Sequence, residues 1–150
     1  MQNREGEIVK VRCKSENRNR KIFCKLELSN NLNDNSMIHS EMKVWQLSID
    51  LVEDIFKLTY KFPKEETYTL AQQMKRAAIS IPSNIAEGMA RNSTKECIRF
   101  LHISLGSLSE LDTQLIIANR LGFTNGENRD RINRVKMLLL GTIRHLRTKL

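Results

Sequence analysis

The sequence predicts an all-α protein, an antiparallel up-down four-helix bundle, and three observations carry that expectation. From Lys43 onward apolar residues recur at helical spacing almost without interruption. The gaps between the periodic segments are only a few residues long, which makes consecutive helices antiparallel neighbours. Glycine and proline are scarce, 6 and 2 in 150 residues, too few for a turn-dense all-β chain.

The first helix is expected over about residues 43–60. Trp45, Ile49, Val52 and Phe56 form one apolar stripe, and Val44, Leu47, Leu51, Ile55 and Leu58 form the adjoining one. The face they make is wider than a surface helix needs, so this helix should touch more than one neighbour. Trp45 reads as core or as subunit interface. Phe62-Pro63 ends the helix, because a residue before proline is pushed out of the α region.

The second helix is expected from near Lys64–Glu66, where carboxylates suit the helix dipole. Leu70, Met74, Ala77, Ala78, Ile81, Ile85 and Met89 form its inner face. Pro82 falls inside this pattern. It removes one N–H and disturbs the carbonyl of Ala78, so a bend is expected, with Ser80 and Ser83 able to serve freed backbone groups.

The third helix has the clearest start. Ser93-Thr94-Lys95-Glu96 reads as a capping box, followed by Cys97, Phe100, Leu101, Ser104, Leu105, Leu108, Leu111, Leu115 and Ile116 at helical spacing. Leu121-Gly122 is the stop, with the glycine free to become left-handed. Small residues in Ser104–Ser107 suit close helix approach. The fourth helix covers about residues 128–150, with Ile132, Val135, Leu139, Ile143, Leu146 and Leu150 inward.

Residues 1–42 differ from the rest. KSENRNRK and SNNLNDNS are polar and hold no helical period, and a lone alternating stretch at Ile22–Leu28 has no sheet to join. The reading is a disordered or loosely attached N-terminal extension before a bundle at 43–150. The alternative is that translation starts at Met37 or Met42.

Charge is distributed unevenly. The formal net charge is +8. Most of the excess sits on the last helix, where Arg129, Arg131, Arg134, Lys136, Arg144, Arg147 and Lys149 are opposed by Asp130 alone. Lys75, Arg76, Arg91, Lys95 and Arg99 make a second cluster. A localised basic face attracts phosphates in a salt-sensitive, sequence-independent way; the alternative is an ordinary solvated helix face. Aromatic residues, 5% of the chain, sit on apolar stripes, so no platform for stacking bases is expected.

Other function classes find little support. Cys13, Cys24 and Cys97 include no C-x-x-C pair, and His39, His102 and His145 are scattered, so neither a disulfide framework nor a zinc site is expected. Cys97 reads as a small buried hydrophobe. No nucleotide-binding glycine pattern, H-E-x-x-H or G-x-S-x-G occurs. No apolar run approaches the ~20 residues of a membrane span, and the N-terminus has no signal-peptide core. A non-enzymatic, cofactor-free, cytoplasmic protein is expected.

Five segments then align with a known pattern: Val44-Trp45-Gln46, Phe62-Pro63, Ser80-Ile81-Pro82-Ser83-Asn84-Ile85-Ala86-Glu87-Gly88, Arg99-Phe100-Leu101 and Gly106-Ser107-Leu108-Ser109-Glu110-Leu111. In order and spacing they resemble the four-helix-bundle family encoded in intervening sequences of bacterial 23S ribosomal RNA genes, also called the S23 ribosomal protein family. That family is similar to the accessory variability proteins of diversity-generating retroelements. The resemblance covers residues 43–150, and the proline-centred segment is its most specific part. It implies a ring-like homopentamer with a basic surface, associated in the retroelement relatives with nucleic acid and a reverse transcriptase.

The expectation that results is an oligomeric, nucleic-acid-associated bundle with ribosomal RNA as its partner. Phosphate contacts would come from Lys75, Arg76, Arg91, Arg129, Arg131, Arg134, Lys136, Arg144 and Arg147. The alternative is a protein–protein scaffold, or an accessory subunit for a nucleic-acid enzyme such as a reverse transcriptase, with the basic face docking an acidic partner.

Overall fold

The computed structural model describes residues 39–65, 69–125 and 128–150. The extension up to residue 38 lies outside the described residues, and so do Cys13 and Cys24. A 3-10 turn, His39–Glu41, leads into α1 (Lys43–Thr59); α2 (Leu70–Met89), α3 (Thr94–Arg120) and α4 (Arg129–Arg147) follow. No strand occurs among the described residues. The pairs α1/α2, α2/α3, α3/α4 and α1/α4 pack together, and α2/α3 is the most extensive seam. This is the expected up-down four-helix bundle. No described helix is long and apolar enough to cross a membrane.

The core is one contiguous cluster. Leu51 and Ile55 from α1, Met74, Ala78, Ile81 and Ile85 from α2, Leu101, Leu108 and Leu111 from α3, and Ile132, Val135 and Leu139 from α4 are fully or almost fully buried. These positions recur every three or four residues, so each helix buries one stripe and leaves its opposite side to water. On α1 the buried stripe is Val44, Ser48, Leu51, Ile55 and Thr59. Two of these are hydroxyl residues that satisfy themselves locally: Ser48 Oγ donates to the Trp45 carbonyl (2.6 Å) and Thr59 Oγ1 to that of Ile55 (2.7 Å). The Trp45 stripe lies at the edge of the core and is only half-buried.

Several local expectations change. Helix α2 spans Leu70–Met89, with Thr69 at its N-cap; the expected start near Lys64–Glu66 falls partly outside the described residues. Ser93 is the N-cap of α3, but its side chain makes no capping hydrogen bond. The capping box is therefore not formed, and Glu96 instead pairs with Arg99 at 3.4 Å. Gly122 ends α3 with φ +79°, the left-handed conformation its position demands.

The α2/α3 seam explains the proline-centred segment. Helix α2 continues through Pro82, which is buried. Asn84 Nδ2 donates to the Ser80 carbonyl (2.7 Å) and to Ser80 Oγ (2.9 Å). Ser80 Oγ lies 2.9 Å from Ser107 Oγ, which donates to the Ile103 carbonyl at 3.2 Å. Since Ser80 Oγ accepts from Asn84 and Ser107 gives its proton to Ile103, the Ser80 proton goes to Ser107. Ser104 Oγ donates across the seam to the Ile81 carbonyl (3.0 Å). Ser83 serves the Ile79 carbonyl (2.8 Å) rather than that of Ala78. Close approach falls at Gly88, where an added Cβ would stand 2.9 Å from Phe100 Cβ and 3.2 Å from the Cys97 carbonyl oxygen. Gly106 faces open space.

Candidate nucleic-acid interface

The expected basic residues divide into those engaged by the fold and those that stay free. Arg131 leans over the α1/α4 seam: its Nη1 is 3.1 Å from Asp50 Oδ2 and its Nε 2.7 Å from Asp54 Oδ2. Asp50 and Asp54 are one helical turn apart on α1, so a single guanidinium fork reaches both. Arg129 faces α3, with Nε 3.8 Å from the buried Asp112 Oδ1, an ion pair beyond hydrogen-bond reach. The charges of Arg129 and Arg131 are thus locally opposed, and Arg131 fastens two helices.

Three more residues have structural partners. Arg91 pairs with Glu87 one turn earlier, and its guanidinium lies over the Phe100 ring at 4.8 Å. Lys75 Nζ lies over the Phe56 ring at 5.3 Å. Arg147 Nη2 donates to His102 Nε2 on α3 at 3.2 Å. Arg76, Arg134, Lys136 and Arg144 are exposed, and none of them meets a carboxylate within 4 Å among the described residues. On α4, Arg134 and Arg144 lie close to the direction opposite Ile132, Val135, Leu139 and Ile143, while Lys136 lies on the flank shared with Arg129 and Arg147. The nine residues therefore do not form one continuous ridge.

Among the described residues, two depressions stand out. One, of about 270 Å³, is polar and lies between α1 and the start of α4, lined by Leu47, Asp54, Asn128, Asp130, Arg131 and Arg134. The other, of about 280 Å³, is an apolar groove between α1 and α2, lined by Trp45, Ile49, Val52, Ile79, Pro82 and Ala86, with His39 and Ser83 at its margin. Ile79 is 46% exposed there, and His39 packs edge-on against Trp45 with ring centroids 5.2 Å apart. The groove is where the broad apolar face of α1 remains uncovered; a wide stripe of this kind is the sequence signal for it.

No group of three or more His, Cys, Asp or Glu able to hold a metal occurs among the described residues. Cys97 is buried on α3, with Sγ 3.8 Å from Met89 Sδ, and burial pushes its thiol pKa up. That disfavours the thiolate a reactive cysteine needs.

Comparison with known proteins adds the following. The family described as 23S rRNA-intervening sequence protein matches residues 40–139, two-thirds of the chain. A crystal structure from Bacteroides thetaiotaomicron VPI-5482, of a protein of unknown function from the S23 ribosomal protein family, has the same fold. It superposes with a TM-score of 0.62 at 23% identity, covering 67% of this chain and 95% of that one. No curated protein matches the sequence.

Proposed function

Because the chain belongs to the 23S rRNA-intervening sequence protein family, we propose that it is a non-enzymatic, oligomeric bundle of the cytoplasm that binds structured RNA, ribosomal RNA first among candidates, through a basic surface. The observation that carries this reading is the set of exposed cations on α2 and α4 without carboxylate partners, Arg76, Arg134, Lys136 and Arg144. Arg147, Lys75 and Arg91 contribute from positions already held by His102, Phe56 and Phe100. Arg129 and Arg131 contribute least, since carboxylates oppose them. Phosphate contacts of this kind release counterions, so affinity falls as salt rises and changes little with base sequence.

The test is binding of a stem from the intervening-sequence RNA to the full chain between 50 and 200 mM salt. A steep, linear decline of log affinity with log salt is expected, with similar values for an unrelated stem. Absence of binding at 50 mM salt overturns the reading.

The apolar groove favours assembly with further copies. Exposed apolar surface flanked by polar residues marks a protein contact, and the family resemblance makes a ring-like homopentamer the expected product. Light scattering should then give about five times the 17.4 kDa chain mass. A scaffold or accessory-subunit role is the second reading, and the same groove favours it: it predicts capture of a protein partner with no dependence on added RNA.

A further inference from the structure

We propose that the phosphate-facing surface is centred on one pole of the bundle, the end where α1 and α3 begin and α2 and α4 finish. The proposal rests on the RNA-binding reading and names the place and the partner. Contacts define this pole. Met89 and Gly88 at the end of α2 meet Cys97 and Phe100 at the start of α3. Arg147 at the end of α4 meets His102 on α3. Helix α1 runs antiparallel to α4, held by Arg131 on Asp50 and Asp54, so Lys43 lies toward the same end.

In an antiparallel bundle each pole carries two helix N-termini and two C-termini, so the macrodipoles largely cancel and side chains decide the potential. At this pole Lys43, Lys95, Arg144, Arg147 and Lys149 are all exposed, and none meets a carboxylate within 4 Å among the described residues. Of the described side-chain carboxylates nearby, Glu87 is engaged by Arg91 and Glu96 by Arg99, which leaves Glu41. At the opposite pole Lys61, Lys64 and Arg120 are also exposed, but Glu65 and Asp130 stand among them and Arg129 and Arg131 are met by Asp112, Asp50 and Asp54. On α4 the first two cations, Arg129 and Arg131, are therefore opposed, and those at its finish, Arg144, Arg147 and Lys149, are not.

Exposed cations gathered at one end of a bundle attract a polyanion, an attraction that salt screens over a Debye length of ~8–10 Å. The pole is about 20 Å across, two helix diameters, enough to span several successive phosphates. Among the described residues it offers no free aromatic platform: Phe100 lies under Arg91, and Trp45 sits in the α1/α2 groove. The partner it fits is the backbone of an RNA stem, recognised by shape and charge, and not unstacked bases.

The experiment uses the full chain and a 20-base-pair RNA stem-loop, read by fluorescence anisotropy at 50–200 mM salt. The pole variant carries Lys95→Gln, Arg144→Gln and Lys149→Gln; the control variant carries Lys61→Gln, Lys64→Gln and Arg120→Gln, three exposed cations at the opposite end. At 100 mM salt the pole variant should bind at least tenfold more weakly, with the log–log salt slope reduced by roughly 2–3. The control should stay within about threefold of wild type. Equal or greater loss in the control overturns the polar placement while the RNA reading stands; failure of the wild-type chain to bind at 50 mM salt overturns both. A second measurement needs no variant. Bound RNA should protect Lys43, Lys95 and Lys149 from acetylation and leave Lys61 and Lys64 reactive, and the reverse pattern overturns the proposal.

Discussion

Arg131 places one guanidinium against two carboxylates, but its side chain is 35% exposed and that of Asp50 is 54% exposed. Solvent screening limits such a network, so Arg131→Ala should cost about 1 kcal/mol, seen as a melting temperature lower by roughly 3–5 °C, with RNA affinity nearly unchanged. A large loss of affinity with unchanged melting would reassign Arg131 to the interface. Gly88 and Gly106 make a matched pair. Alanine in a helix is favoured over glycine by about 1 kcal/mol. At Gly106 nothing opposes the new methyl, and Gly106→Ala should stabilise by roughly that amount. At Gly88 the methyl would stand 2.9 Å from Phe100 Cβ, an atom fixed to the backbone. Overpacking at about 1–3 kcal/mol outweighs the propensity gain, so Gly88→Ala should lower the denaturation midpoint. Cys97, buried with a raised thiol pKa, should resist thiol reagents at pH 8 in a Cys13→Ser/Cys24→Ser background until the protein unfolds. The sign for stability is set by burial of the neutral thiol: its contribution is complete below the unfolded thiol's pKa and is lost as pH rises through the folded one.

Helix α2 is the element whose sequence conflicts with its conformation. Pro82 lies inside it and brings no N–H to the Ala78 carbonyl. Proline in a helix interior costs about 3 kcal/mol, whereas trimming its ring to alanine loses on the order of 1.5 kcal/mol of buried methylene. Pro82→Ala should therefore stabilise the bundle, by about 1 kcal/mol after partial repacking. A thermal melt showing a fall would mean that the ring's packing beside the Trp45 groove counts for more than the helix penalty. The hydroxyls of the α2/α3 seam act in the other direction. Ser104 is fully buried and donates to the Ile81 carbonyl, so Ser104→Ala should cost about 1 kcal/mol. The existence and type of all four helices were legible from spacing alone. The start of α2 and the Ser93 cap were not, because short polar stretches weigh local hydrogen bonds too evenly for spacing to decide.

At the scale of the whole molecule, the bundle separates two kinds of surface. Apolar surface left over from the core collects in the α1/α2 groove, and exposed cations without carboxylate partners, Arg76, Arg134, Lys136 and Arg144 among them, lie outside it. These should act independently. A groove variant such as Ile79→Glu should lower the mass measured by light scattering while each chain stays helical, and its RNA affinity should fall only through loss of multivalency. If the variant chain keeps the full assembled mass, the groove is not where copies meet.

The sequence by itself determined the all-helical class, the four inward stripes, the glycine stop of α3 and the family resemblance, because each depends on periodicity or on residues adjacent along the chain. Only the tertiary structure decided which cations remain free. Asp50 and Asp54 lie some 80 residues before Arg131, and Asp112 lies a full turn-region before Arg129; no spacing rule along one helix links them. Electrostatic potential depends on distances through space, and folding sets those distances by packing the apolar stripes, which is why a uniformly basic helix in the sequence becomes a set of opposed and unopposed cations in the molecule.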